Sequence, residues 1–342
     1  MRTDKTPLIS GILPTYNRAG YLRKALEGLT CQTLERDEFE VIVVDDGSFD
    51  ETRRVVDLFR ENLQLIYLHQ ENAGISAAKN RGIAQARAPI LVFLDDDDVA
   101  RLTLLEEHLW SHERYPDLVV AVLGHTALSR RVAAIPLMHF VTEVAFYLFC
   151  YPRIRVGEWL DYTYFWGGRS SCKAALLRKY GCFNPRFQFG CEDIELGYRL
   201  SQIGLRVVYN PRAVSTMVRP LTFDDFCRRI EKQGSSNWLF SELHPTEEVR
   251  TWGDIPRAQE RWAVLEPYLE TILASARHLD GMANERTEEG LELDPALVTE
   301  LHNAYWQSFD GCRLRGIVKA ATESATICGS LPGEEICLGN EI

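Results

Sequence analysis

The chain has 342 residues, 46% of them hydrophobic, and a formal net charge of −11 at neutral pH. That apolar content can build a sizeable core, and at ~150 residues per domain the length suggests about two units. The acidic balance excludes the broad positive footprint that nucleic acid requires, so an anionic ligand must be met by a metal ion or a local basic pocket. Nine cysteines (31, 150, 172, 182, 191, 227, 312, 328, 337) are scattered without a CxxC pair. That usage predicts reduced thiols in a cytoplasmic protein rather than a disulfide framework or a zinc site. MRTDKTPLISGIL enters an apolar run almost at once, which predicts no signal peptide.

In chain order, LISGIL (8–13) predicts a strand, YLRKALEGLT (21–30) a helix, FEVIVVD (39–45) a strand and DETRRVVDLFREN (50–62) a helix. LQLIYLH (63–69), ISAAKNRGIAQAR (75–87) and PILVFLD (89–95) repeat the alternation as strand, helix and strand. Continuous apolar strands alternating with helices predict an α/β fold, a mostly parallel Rossmann-like sheet flanked by helices. Ligands of such sheets bind beyond the carboxyl ends of the strands. The loops there are PTYNR (14–18), DDGS (45–48), ENAGIS (71–76) and DDDD (95–98), and all four are expected at one sheet edge.

Each loop has a chemical and a structural reading. Tyr16 offers a ring for a base to stack on, Asp46 can accept from a base N–H, and Gly74 allows close approach of backbone to ligand. Asp-Gly-Ser is equally a common turn, and Pro14 to Asn17 can simply start a helix. The aspartate run is the sharpest feature, because neighbouring charges ~4 Å apart oppose one another by ~1 kcal/mol in water and ~4 kcal/mol at a protein surface. A cation is expected there, although the aspartates could also cap a helix from Thr103.

PTYNR, VVDDGS, the ENAGIxxAxNxG pattern over 71–82 and FLDDDD, in this order and at these intervals, resemble family 2 glycosyltransferases of the GT-A fold across roughly residues 7–240. The resemblance implies a nucleotide-sugar donor, with Tyr16 and Asp46 at the base and Asp95 near the ribose; stacking and a hydrogen bond to Asp46 suit uracil and hence a UDP-sugar, while thymine and guanine donors also occur on this fold. It carries Pro14, Thr15, Arg18, Lys79 and Asp96 into the donor site. Asp97, with Asp95, becomes the ligand of a divalent cation, Mn²⁺ or Mg²⁺, which can bridge two phosphates. GGRSSCKAALLRKYGCFNPRFQFGCEDIELGYRLSQIG (167–204) resembles the family stretch ending in a Glu-Asp pair. By that match Asp193 is the general base of an inverting transfer and Glu192 positions the acceptor. From the residues alone, both carboxylates could merely favour a helix N-terminus. A retaining transferase, a phosphoryl enzyme and a non-catalytic sugar-nucleotide binder are the competing readings.

One departure stands out: Ser215 and Thr216 occupy the place where many relatives carry a histidine. Arg219, Arg228, Arg229 and Lys232 could neutralise a diphosphate or form a solvated face, and His244 is read as a loop residue. VAAIPLMHFVTEVAFYLFCY (132–151) is long and apolar, but Pro136, His139, Thr142 and Glu143 argue against a membrane span. A buried or interfacial helix is expected, with Phe140, Phe146, Tyr147, Phe149, Tyr151, Trp159 and Trp166 as core or as an acceptor surface.

The resulting division is a catalytic domain over 1–245, with a nucleotide-sugar half (1–100) and an acceptor half (101–245), and a C-terminal helical extension over 246–342. Helices are expected over 255–280 and 295–322 around the polar stretch 284–295, and 323–342 carries no assignment. A glycan, lipid-linked or small-molecule acceptor, peripheral membrane contact and a homodimer through the C-terminal helices are the partners this reading allows. The chain lacks the several spans of a processive polysaccharide synthase.

Overall fold

The computed structural model describes residues 6–329, with side chains to residue 326. Part of the unassigned segment 323–342, Cys337 and the Cys328 side chain therefore lie outside the described residues. The other seven cysteines are free thiols. The chain forms two compact units, Met1–Phe223 with His278–His302, and Asp224–Arg277 with Asn303–Ile342.

The first unit begins β1 (Ile9–Thr15), α1 (Ala19–Thr30), β2 (Phe39–Asp45), α2 (Thr52–Asp57), β3 (Leu65–His69), α3 (Ile75–Gln85), β4 (Ile90–Phe93). It continues through β5 (Asp98–Ala100), α4 (Leu104–Arg114), β6 (Val120–Leu128), the short helices α5 (Arg130–Ala133) and α6 (Pro136–His139), and β7 (Trp159–Leu160). β8 (Ser170–Lys173), α7 (Ala174–Tyr180), α8 (Glu192–Ser201) and β9 (Arg206–Met217) complete its sheet and helical layers. The strands run in the order β3-β2-β1-β4-β8-β6-β9-β5, with β7 also on β9. β1 to β4 are mutually parallel, as are β6 and β9, while β8 is antiparallel to both β4 and β6.

Alternation along the strands divides the core between two layers. Ile9 and Leu13 of β1 and Val41 and Val43 of β2 pack with Leu22, Leu26 and Leu29 of α1 and Leu104 and Leu105 of α4. Ile12 and Val44 point the other way, against α3, where a Cβ on Gly82 would lie 2.6 Å from Ile12. Each such fully buried aliphatic side chain contributes about 1.5–3 kcal/mol.

Two predicted elements differ from the structure. The helix over 50–62 ends at Asp57, because Leu58 and Phe59 donate back to Val55 and Val56 in tightened three-residue turns. The apolar stretch 132–151 is broken by Pro136, passes through a π-turn at Phe140–Val144 and then becomes irregular. Leu137, Met138, Phe140, Val141 and Phe149 are buried, and Phe140 packs on His302 at 5.0 Å between ring centres. Among the described residues no helix is long and apolar enough to cross a membrane.

The second unit is helical. It contains α9 (Phe223–Leu243) from Asp224 onward, α10 (Glu247–Trp252), α11 (Ala258–Leu265), α12 (Leu269–Glu288) up to Arg277, and α13 (Pro295–Gly329) from Asn303. α12 extends into the polar stretch 284–295, since nothing breaks the helix before Gly290, whose φ is +73°. α9 and α13 meet backbone to backbone: a Cβ on Gly316 would lie 1.9 Å from the Glu231 carbonyl, and one on Gly234 would lie 2.1 Å from the Arg313 carbonyl. Arg261 and Arg313 share Asp254 and Asp310 in a four-residue ion network.

Candidate active site

The loops after β1, β2, β3 and β4 do meet at one sheet edge. Thr15 Oγ1 donates to Asp96 Oδ2 at 2.8 Å, joining the end of β1 to the aspartate run. Asn17 adopts φ 52°, a left-handed conformation that asparagine tolerates, and exchanges hydrogen bonds with Ser48 and Phe49. Asp46, buried, accepts from Gln70 Nε2 and the Ala73 N–H on Oδ1 and from the Gly74 N–H on Oδ2. Its carboxylate thereby organises the loop after β3. Gly74 has φ +89°, and a Cβ there would sit 2.8 Å from Gln188 Cα, so glycine is required both for the turn and for that approach. Tyr16 is 44% exposed and meets Phe49, 86% exposed, edge to face at 6.5 Å. Pro14 is buried in β1.

The aspartate run has cationic partners on every member. Arg18 Nη1 lies 3.0 Å from Asp96 and 3.7 Å from Asp97. Arg219 Nε contacts Asp97 Oδ2, and Arg169 Nη2 lies 2.8 Å from Asp95 and 3.8 Å from Asp98. Asp98 begins β5 rather than capping α4, and accepts from Thr126 and Ser215 on Oδ2, while its Oδ1 is buried without a partner. Burial pushes Asp98 up to about 7 against the pull of Arg169, and burial pushes Asp96 up to about 6 against Arg18. Ser215, standing in place of the family histidine, thus supports Asp98.

Glu192 and Asp193 open α8 from Cys191, whose φ of 61° is a strained left-handed conformation for a non-glycine residue. Glu192 accepts from Lys79 Nζ at 2.9 Å in a fully desolvated pair. Burial lowers the Lys79 pKa, but Glu192, Asp193 and Asp95 outweigh it and hold the ammonium above its ordinary range. Asp193 accepts from the Gly167 N–H at 2.7 Å and from the Ile194 N–H at 2.8 Å. Burial and then Glu192 push it up to about 6, with Lys79 opposing. The Gly167-Gly168 pair lets this chain pass between the carboxylates: a Cβ on Gly168 would lie 2.0 Å from Asp95 Oδ2, and one on Gly167 would lie 2.4 Å from Lys79 Nζ.

Lys79 and Gly167 therefore hold Glu192 and Asp193, Gly168 brings that segment against Asp95, and Arg169 joins Asp95 to Asp98. Sequence reasoning missed Arg169 and Phe49. The signal for Arg169 was GGRSS, two glycines and a basic residue ahead of a small-residue strand. Of the basic residues considered, Arg219 reaches the run, whereas Arg228 in the second unit pairs with its helix neighbour Asp225. Phe149 is buried with the Arg169 guanidinium over its ring at 4.6 Å, Tyr151 stacks on Tyr209 at 5.7 Å, and the partly exposed Trp166 stacks on Tyr164 at 5.8 Å. Trp159 instead packs on Tyr115 and Arg206.

The donor set suits a hard divalent cation. Two aspartates from one turn supply oxygen only, and no group of three histidine, cysteine or acidic ligands stands among the described residues.

Residues 10–173 match the family described as Glycosyl transferase family 2. The chain is 34% identical over 226 residues to validoxylamine A glucosyltransferase of Streptomyces hygroscopicus subsp. jinggangensis, covering 59% of this chain and 53% of that protein. It is 40% identical over 98 residues to glycosyltransferase AglE of Haloferax volcanii, covering 28% and 32%. The chain thus spans about half the length or less of these relatives. In fold it is similar to S. aureus TarS 1-349 in complex with UDP, at TM-score 0.52, 18% identity and 92% coverage of both chains. It is also similar to the mannosyltransferase PcManGT from Pyrobaculum calidifontis in complex with GDP-Man and Mn²⁺, at TM-score 0.56, 21% identity and coverage of 93% and 88%. The ordered strand-end motifs, the sheet that gathers them and these matches together mark residues 10–173 as a stretch similar to glycosyl transferase family 2, on a fold like that of the GT-A glycosyltransferases.

Proposed function

We propose that this chain transfers a sugar from a nucleoside-diphosphate donor to an acceptor hydroxyl with inversion, using Asp193 as general base. The observation that carries the reading is the closeness of the Glu192-Asp193 helix start to the aspartate run: Lys79 pairs with Glu192, Gly167 donates to Asp193, and the next residue, Gly168, lies against Asp95. Asp193, poised near pH 6, removes the acceptor proton. The acceptor oxygen bonds to the anomeric carbon from the face opposite the diphosphate, and the bond to the diphosphate breaks with its electron pair leaving on phosphate. Glu192, fixed by Lys79, positions the acceptor. Tyr16 and Phe49 flank the base, Asp46 holds the loop beside it, and Asp95 and Asp96 stand on the ribose side.

Asp97 and Asp95 would hold the divalent cation, which supplies positive charge to the departing diphosphate. Arg18, Arg169 and Arg219 fix these carboxylates and add charge of the same sign. UDP and GDP-Man are seen with fold neighbours and the curated relative is a glucosyltransferase, so UDP-glucose heads the donor candidates. Trp166 and Tyr164, beside Gly167, form the acceptor surface. In this reading 1–100 is the donor half, 101–245 the acceptor half, and 246–342 a helical extension.

Thermal stabilisation by UDP-glucose, UDP-GlcNAc and GDP-mannose, each with and without Mn²⁺, tests the donor site; a ligand at 100 times its dissociation constant adds ~2.7 kcal/mol. One donor is expected to stabilise the wild type, and Asp97→Ala is expected to lose the Mn²⁺-dependent part. Failure of every donor to stabilise the wild type would sink the reading. The anomeric configuration of the product, read by proton coupling, tests inversion.

A further inference from the structure

Arg219 stands where the donor-site reading above needs a cation. Its backbone is fixed by Asp97 itself: Val218 N–H donates to the Asp97 carbonyl at 3.0 Å, and Met217 pairs with Asp98 across β5 and β9. Pro220 follows, which confines the Arg219 backbone to extended conformations. The guanidinium is thus delivered onto Asp97 Oδ2 by a short, doubly constrained tether. Asp97 is 5% exposed, so water does not replace that partner when it leaves.

We infer that Arg219 is a positioning residue that couples metal binding to diphosphate binding. It holds the Asp97 carboxylate while the site is empty and yields it to a divalent cation when a diphosphate is present to receive the guanidinium. The charges require such an exchange. With every carboxylate ionised, four aspartates face three arginines, which leaves the cluster one negative charge in excess. A divalent cation alone displaces Arg219 and leaves a guanidinium unpaired in a poorly solvated site, which is strongly unfavourable. A diphosphate alone brings its charge against Asp97 and Asp95. Together the two preserve the original charge balance, and the freed guanidinium gains a partner whose oxygens match its fork.

The consequence is a linkage that each ligand must obey reciprocally. The wild type should take up Mn²⁺ weakly by itself and at least tenfold more tightly with UDP or GDP bound. Removing the guanidinium should open Asp97 to the ion and dissolve the linkage.

Mn²⁺ titrations of the full chain, followed by the EPR signal of free ion and corrected for ion held by free nucleotide, test this with Mn²⁺ alone, with UDP and with GDP. Arg219→Gln is expected to bind Mn²⁺ alone about tenfold more tightly than wild type and to show less than about threefold enhancement by nucleotide. Arg219→Lys, which keeps the charge and the fold support, is expected to retain most of the enhancement. If Arg219→Gln only lowers the melting temperature while both Mn²⁺ affinity and nucleotide enhancement stay at wild-type values, Arg219 is a structural ion pair and the inference is overturned. Wild-type chain that takes up neither nucleotide nor Mn²⁺ overturns the donor-site reading as well, so the two failures are distinct.

Discussion

At the scale of the residue, Asp193 makes the plainest claim. Its carboxyl sits near pH 6 because burial and Glu192 raise it while Lys79 and two backbone N–H groups hold it down. As a base it acts ionised, so kcat/KM is expected to rise about tenfold per pH unit below about 6 and to level above it. Asp193→Asn should lower turnover by about 10²–10⁴-fold with donor affinity unchanged, and near-normal turnover would remove the base from the mechanism. Lys79→Met leaves Glu192 charged and unpaired, and chemical denaturation is expected to register a loss of about 3–5 kcal/mol. Lys79→Met with Glu192→Leu should recover much of it, which an additive pair would not. Asp193, Glu192, Asp46 and Tyr16 could be named as candidates because they fall within the ordered motifs, which fix positions and not roles. Lys79 was legible only as a donor-site residue, because a sequence gives no sign that its ammonium turns inward to Glu192.

At the scale of the element, two contacts set expectations. His108 and His112 on α4 both hydrogen-bond Ser171 of β8, and His112 also meets Lys173. Burial lowers His108 to about 4, and burial with Lys173 lowers His112 to about 3. The unfolded chain takes protons near pH 6.5 where the folded chain refuses them, so this stability is complete above that pH and is lost as pH falls toward 4 and then 3. Each histidine should withdraw about 2 kcal/mol between pH 6.5 and 5. Asp96, Asp98 and Asp193 take up protons in the folded chain over the same window and oppose that fall, so the reading from melting scans is the difference between chains: His108→Gln should lose about 2 kcal/mol less than wild type from pH 6.5 to 5. In the second unit Gly316→Ala must push α13 off α9, with an expected loss of about 1–3 kcal/mol in urea titration. The strands of the first half were legible from β-branched runs, and FEVIVVD matches β2 residue for residue. β8 was legible as a strand but not in its place between β4 and β6, since antiparallel pairing 80 residues away leaves no local pattern. The end of α2 was misread because its apolar spacing continues while its hydrogen bonds tighten into turns.

At the scale of the whole molecule, the strand order β3-β2-β1-β4-β8-β6-β9-β5 runs in a different order from the sequence. The first hundred residues carry the aspartates, but two of their three arginines arrive later, 74 residues on for Arg169 with Asp95 and 122 residues on for Arg219 with Asp97. A chain growing at about 5–20 residues per second therefore exposes the run for roughly 5 to 25 seconds before its counter-charges are made. Until Arg169 is made, Arg18 is the one arginine of the three that the run can pair with. The turn after β4 then cannot settle in its final form until β8 and β9 have been synthesised. The aspartate run thus gains Arg219, its last arginine partner, only after the Glu192-Asp193 helix start has been synthesised.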